Sequence, residues 1–186
     1  MSDAGNTYPL RDLLTSKQFR VPLLVIPFTW FAASVLDYGI AFSLGDFEGS
    51  LFTNGYIGAT ASTVSLIFVG PLSNCFGRKK SMVLVFFIAG MACILYGPLK
   101  TLGVAPAYVC VGLGTFGADC AFNLVFLVTS ELFPTVYRGR VFGLGNMMAR
   151  VGGIVAPLVP GVVSGNFMYI FGGLGVVTSV LSILLK

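Results

Sequence analysis

The sequence predicts an all-α membrane protein with six transmembrane helices, and two observations predict it. Of its 186 residues, 56% are hydrophobic and only 10% charged, and the mean hydropathy is +0.92, more apolar surface than a water-soluble core can hide. The charged residues also gather in short clusters, and these separate apolar stretches of about 17 to 25 residues, the length that crosses a hydrocarbon core. Spans of this kind are helices, because an open strand leaves its backbone groups unsatisfied in lipid.

The elements follow in order. Residues 1–20 form a polar cytoplasmic tail and then "PLRDLLTSKQFR", where Leu10, Leu13 and Leu14 share a helical face beside Arg11 and Lys17. That pattern suits a short interfacial helix. No cleavable signal peptide is evident, since the start is polar and the first apolar run too long. A six-helix domain fills 21–186, with spans at 21–43, 55–72, 81–97, 104–130, 141–163 and 167–185. Pro157 and Pro160, with Gly152 and Gly153, are placed to bend the fifth span.

Basic residues set the orientation. Arg11, Lys17 and Arg20 precede the first span, Arg78, Lys79 and Lys80 join the second to the third, Arg138 and Arg140 join the fourth to the fifth, and Lys186 ends the chain. All fall on one side, whereas the other carries Lys100 with the acidic Asp46 and Glu48. The positive-inside rule therefore places both termini in the cytosol.

Composition excludes several chemistries. The chain has no histidine, which removes the commonest general base and metal ligand and any Ser-His or Cys-His pair. Cys75, Cys93, Cys110 and Cys120 match no zinc or redox spacing and imply no disulfide framework. The glycines of "GLGTFG" at 112–117 lie inside a span, where small residues admit close helix contact rather than phosphate. The basic loops face anionic lipid, so nucleic acid is not called for. Neither enzyme chemistry, a cofactor nor a metal is expected.

Charge inside the membrane remains to be explained. At 1.5 Å per residue, Arg150 lies about 14 Å into the fifth span and Asp119 about 18 Å into the fourth, both near the midplane, and Asp37 sits in the outer half of the first. A charge facing lipid costs several kcal/mol, so these side chains face a protein interior or a wet cavity. They point to a solute pathway; the plain alternative is an Asp119–Arg150 pair that only ties two helices together. Trp30, Phe31 and Tyr38 of the first span offer aromatic faces to a flat solute or a cation.

The run "FNLVFLVTSELFPTVYR" followed by "GLGNMMARVGGIVAPLV" resembles the second half of the organic cation, anion and carnitine transporters, solute carrier family 22 of the major facilitator superfamily. "LRDLLTSKQFR", "WFAASVLDYG" and "FGRKK" agree with that family in the same order. The resemblance covers nearly the whole chain. It implies that the six spans are the C-terminal half of a twelve-span transporter, which moves small organic ions by alternating access. A natural half and a fragment both fit, and a fragment is the expectation, because the chain stops before the Pro-Glu-Thr that usually follows in the family. The partners implied are a small organic ion, the lipid bilayer, and the N-terminal six-helix half or a second half-transporter; the location implied is the plasma membrane.

The resemblance bears on residues too. The family position of Arg150 is Arg in carriers of organic anions or of the carnitine carboxylate and an acid in several cation carriers, so Arg150 favours a carboxylate-bearing solute. Asp119, Asp37, Trp30, Phe31 and Tyr38 complete the expected substrate site, the two acids leaving a cation as the alternative. Glu131, Arg138 and Arg78 form the expected cytoplasmic gate, with Glu131 accepting from one arginine or the other. The sequence departs from the family at Asn74 and Cys75, where Asp and Arg are usual, and at Thr115, where anion carriers often have Lys. A sugar-type facilitator half and a non-transporting assembly or regulatory partner are the rival readings. The first lacks the paired Gln expected in the first span.

Overall fold

The computed structural model describes residues 20–47, 49–163 and 167–185; the interfacial helix expected within 1–20 lies outside them. The described chain forms α1 (Arg20–Phe42), α2 (Leu51–Phe76), α3 (Arg78–Leu99), a 3-10 turn at Lys100–Leu102, α4 (Val104–Leu132), α5 (Thr135–Val155), α6 (Leu158–Val162) and α7 (Phe167–Ser182). Helices α1 to α4 and the run Thr135–Val162 are long and apolar enough to cross a membrane, while α7 is a shorter apolar helix.

Helix ends reach past the apolar stretches read from hydropathy. Helix α2 begins at Leu51 and ends at Phe76, four residues beyond each end of 55–72, because polar Asn54 and Ser73 continue the backbone ladder at the membrane edges. Gly77 alone separates α2 from α3, at φ +81, a left-handed conformation that suits glycine and reverses the chain in one residue. The fifth span is two pieces, α5 and α6, interrupted at Ala156 and Pro157. A proline there removes a helix donor and crowds the preceding turn.

Helix α4 packs on α1, α2 and α3, while α1 packs also on α5 and α7, α3 also on α7, and α2 rests chiefly on α4. Trp30, Ile26, Leu36, Met82, Phe86, Leu124 and Phe171 are fully buried between them. Small residues set the closest approaches: a Cβ on Gly90 would fall 2.8 Å from the Val176 nitrogen, and one on Gly117 would fall 2.8 Å from the Ala89 nitrogen. Close backbone contact of this kind is how helices gain packing energy in lipid. By contrast α2 exposes Phe52, Tyr56, Leu66, Ile67 and Phe68, and α5 exposes Met147, Val151 and Ile154.

The loops alternate between the two ends of the bundle. Asp46, Lys100, Pro160 and Phe167 surround one cavity at one end. At the other end the start of α3 meets the end of α4 through an ion pair between Arg78 and Glu131.

Candidate functional site

Arg150 lines a cavity of about 440 Å³ between α1, α4 and α5, together with Ser34, Tyr38, Phe42, Phe122, Asn146, Ala149, Gly153 and Ile154. Helical spacing accounts for the grouping. Ser34, Tyr38 and Phe42 stand four apart on α1, as do Asn146 and Arg150 on α5, and residues four apart share a face. Ser34 donates its hydroxyl to the Ala149 carbonyl at 2.6 Å, fixing α1 to α5 beside the cavity. The Tyr38 and Phe42 rings stack at 6.3 Å and 26°. No carboxylate is among the described residues that line this cavity, so its wall combines one permanent cation, an amide and aromatic faces.

The two intramembrane acids lie elsewhere. Asp119 accepts the Ser62 hydroxyl at 2.5 Å, and its carboxyl stands within hydrogen-bonding reach of Asp37. Asp37, Ser62 and Thr115 line a separate cavity of about 170 Å³ between α1, α2 and α4. The expected alternative, an Asp119–Arg150 pair, is therefore not formed. Asp37 and Tyr38 are neighbours in sequence but serve different cavities, because successive helical residues point about 100° apart.

Of the three aromatic residues expected at the site, Tyr38 lines the cavity and Trp30 and Phe31 do not. Trp30 is 1% exposed, donates its indole N–H to the Thr129 hydroxyl at 3.0 Å, and sits among Phe122, Phe126 and Phe142. Gly145 leaves room for it, since a Cβ there would come within 2.8 Å of the indole. Phe122 belongs both to this cluster and to the lining of the Arg150 cavity, so Trp30 packs one ring away from it. Phe31 presents its carbonyl to Gly152, whose Cβ would fall 2.7 Å from it. The sequence reading missed Ser34, Phe42, Phe122 and Asn146; the four-residue spacing from Tyr38 and Arg150 was the signal that marked three of them.

At the other site, Arg78 meets Glu131 in a two-point contact, Nη2 to Oε1 at 2.7 Å and Nε to Oε2 at 2.8 Å. Its remaining Nη1 donates to Ser73 Oγ at 3.0 Å and to Asn74 Oδ1 at 3.5 Å. Asn74 thus keeps a weak hold on the guanidinium where the family usually has an acid. Arg138 takes no part in the pair, and its Nε is buried with no hydrogen-bond partner among the described residues. Cys93, Cys110 and Cys120 are buried free thiols, and Cys75 is an exposed one. Among the described residues no group of His, Cys, Asp and Glu is placed to hold a metal ion.

Comparison with known proteins extends this picture. The chain is 28% identical to solute carrier family 22 member 15 of Xenopus tropicalis, over 98% of this chain and 36% of that protein. It is 32% identical to solute carrier family 22 member 6 of Rattus norvegicus, over 94% of this chain and 32% of that protein. With organic cation/carnitine transporter 4 of Arabidopsis thaliana it shares 28% identity, over 81% of this chain and 29% of that protein. The chain thus spans about a third of the length of these relatives. Its fold matches the crystal structure of a bacterial homologue of the iron transporter ferroportin in an outward-facing state, with a TM-score of 0.72 over 100% of this chain and 48% of that one, at 15% identity. The family model of the Major Facilitator Superfamily matches residues 5–185, and on that match over nearly its whole length, in an all-helical multi-pass fold, the chain belongs to the Major Facilitator Superfamily.

Proposed function

We propose that the chain is one half of an organic-ion transporter that works by alternating access, and that its solute carries a carboxylate. The observation that supports this is the Arg150 cavity. A guanidinium at membrane depth stays charged and calls for an anionic partner, yet among the described residues no carboxylate lines its cavity. A carboxylate of the solute would take the two-pronged guanidinium, with Asn146 as a further donor and Tyr38 and Phe122 against the solute body. Asp119 is engaged with Ser62 and Asp37, which leaves Arg150 available. The names of the relatives, which include an organic cation/carnitine transporter, support an organic solute.

A cation is the second reading, and the Asp37–Asp119 pair favours it. Uptake of one carboxylate and one organic cation into proteoliposomes separates the two. Saturable carboxylate uptake that is lost in Arg150→Ala supports the first; carboxylate uptake unchanged in a correctly inserted Arg150→Ala overturns it.

The companion half belongs to the same proposal. The apolar faces left open on α2 and α5 support a second six-helix body packed there, either the N-terminal half of a longer protein or a separate half-transporter. Uptake by the chain alone, compared with uptake by the chain and its companion, tests this; full activity of the chain alone would refute it. The Arg78–Glu131 contact is proposed as the gate at a cytoplasmic end, closed when the cavity opens outward and broken when it opens inward, with Arg138 as the nearby second arginine. The plasma membrane and cytosolic termini complete the proposal.

A further inference from the structure

We infer that Gly153 determines specificity at the Arg150 cavity by holding the Tyr38 ring against the wall, which makes room for a flat, ring-bearing carboxylate. This rests on the carboxylate reading above. Gly153 follows Arg150 by three residues and so continues the same face of α5, and both line the cavity with Tyr38. A Cβ on Gly153 would stand 3.3 Å from Tyr38 Cδ2 and 3.4 Å from Cε2. The edge of the phenol ring therefore lies in tight contact with the point where a side chain at 153 would begin, and must give way to one.

An added side chain can be accommodated either by parting the helices or by moving the ring, and the geometry selects the ring. Helices α1 and α5 are locked at this level by the Ser34 to Ala149 hydrogen bond at 2.6 Å. At Gly152 they are already so close that even a Cβ would fall 2.7 Å from the Phe31 carbonyl oxygen and 3.1 Å from the Ser34 Cβ. Tyr38, by contrast, is 43% exposed, with Phe42 stacked behind it and the cavity beside it. A larger residue at 153 pushes the ring into the space that a solute ring would use. A short aliphatic carboxylate needs only Arg150 and Asn146 and is spared.

The test is uptake of labelled benzoate and labelled butyrate by the intact transporter, this chain with its companion half, in proteoliposomes. Gly153→Val should raise the KM for benzoate about tenfold, the size of effect that a filled apolar pocket produces, and leave that for butyrate within about twofold. Tyr38→Ala should weaken benzoate uptake when residue 153 is glycine and improve it when residue 153 is valine, a change of sign that general loosening of the fold does not produce. If Gly153→Val does not reach the membrane, Gly153→Ala carries the same test with a smaller shift of the ratio. A parallel rise for both solutes, or no change in either, overturns the inference while leaving the carboxylate reading intact. Uptake of neither solute by the unsubstituted protein overturns both.

Discussion

Arg78 grips Glu131 with two of its nitrogens, at 2.7 and 2.8 Å, and so joins the first residue of α3 to the last turn of α4. The side chains are 39% and 43% exposed, so water and salt weaken the contact, and a pair of this kind is worth up to about 1 kcal/mol. In the intact transporter Glu131→Gln should shift the balance towards the inward-open state by up to about fivefold, the population equivalent of that energy, and lower turnover more than surface expression. Accessibility labelling of the cavity in each state reads the shift; unchanged labelling with unchanged turnover would leave Glu131 no gating role.

Arg150→Ala should cut carboxylate uptake by about tenfold to a hundredfold, the effect of losing hydrogen bonds to a charged group. Arg150→Lys should recover part of it, because the charge returns without the planar fork. Equal recovery by Lys and native Arg would mean that charge alone matters.

Asp119 does not line the Arg150 cavity and bonds Ser62 instead, so Asp119→Asn should leave carboxylate uptake within about threefold of the native level, the range that sites with no shared partner allow. Loss of organic cation uptake in the same variant would transfer the solute assignment to the acidic pair.

Trp30 and Tyr38 should separate stability from binding. Trp30→Ala empties a fully buried site and should destabilise the fold by about 3 to 5 kcal/mol, seen as a lower midpoint of thermal unfolding in detergent. Tyr38→Ala, at a half-exposed position, should leave that midpoint nearly unchanged while reducing solute affinity. Equal loss of stability in both would place Tyr38 in the core as well.

Cysteines introduced at Asp46 and Lys100 should react with an impermeant reagent added outside the cell, and those at Lys79 and Arg140 only after permeabilisation. The converse labelling would invert the orientation taken from the basic loops.

The helices were legible because lipid demands long apolar runs bounded by charge, and the sequence states both openly. Arg150, Asp37 and Asp119 were legible as misfits for the same reason. Which of them meet was not legible. That depends on how α1 is rotated about its axis, which is set by contacts such as Ser34 with Ala149 and Trp30 with Thr129, 115 and 99 residues apart in sequence. A hydropathy pattern holds no record of such pairs. Trp30 in particular carries the chemistry of a binding residue, and only the glycine at 145 and the ring cluster around it mark it as core.

The packing of α1 on α4 also bears on how the protein is made. Helix α1 is the first of the described helices to leave the ribosome, yet its Trp30 indole is satisfied by Thr129, 99 residues later. At about 5 to 20 residues per second, the new helix waits about 5 to 20 s for that partner. During that interval the side of α1 that carries Trp30 is without its α4 partner. Substitutions along the α4-facing side of α1 should therefore show first as degradation during biogenesis, before any copy reaches the stage at which transport is measured.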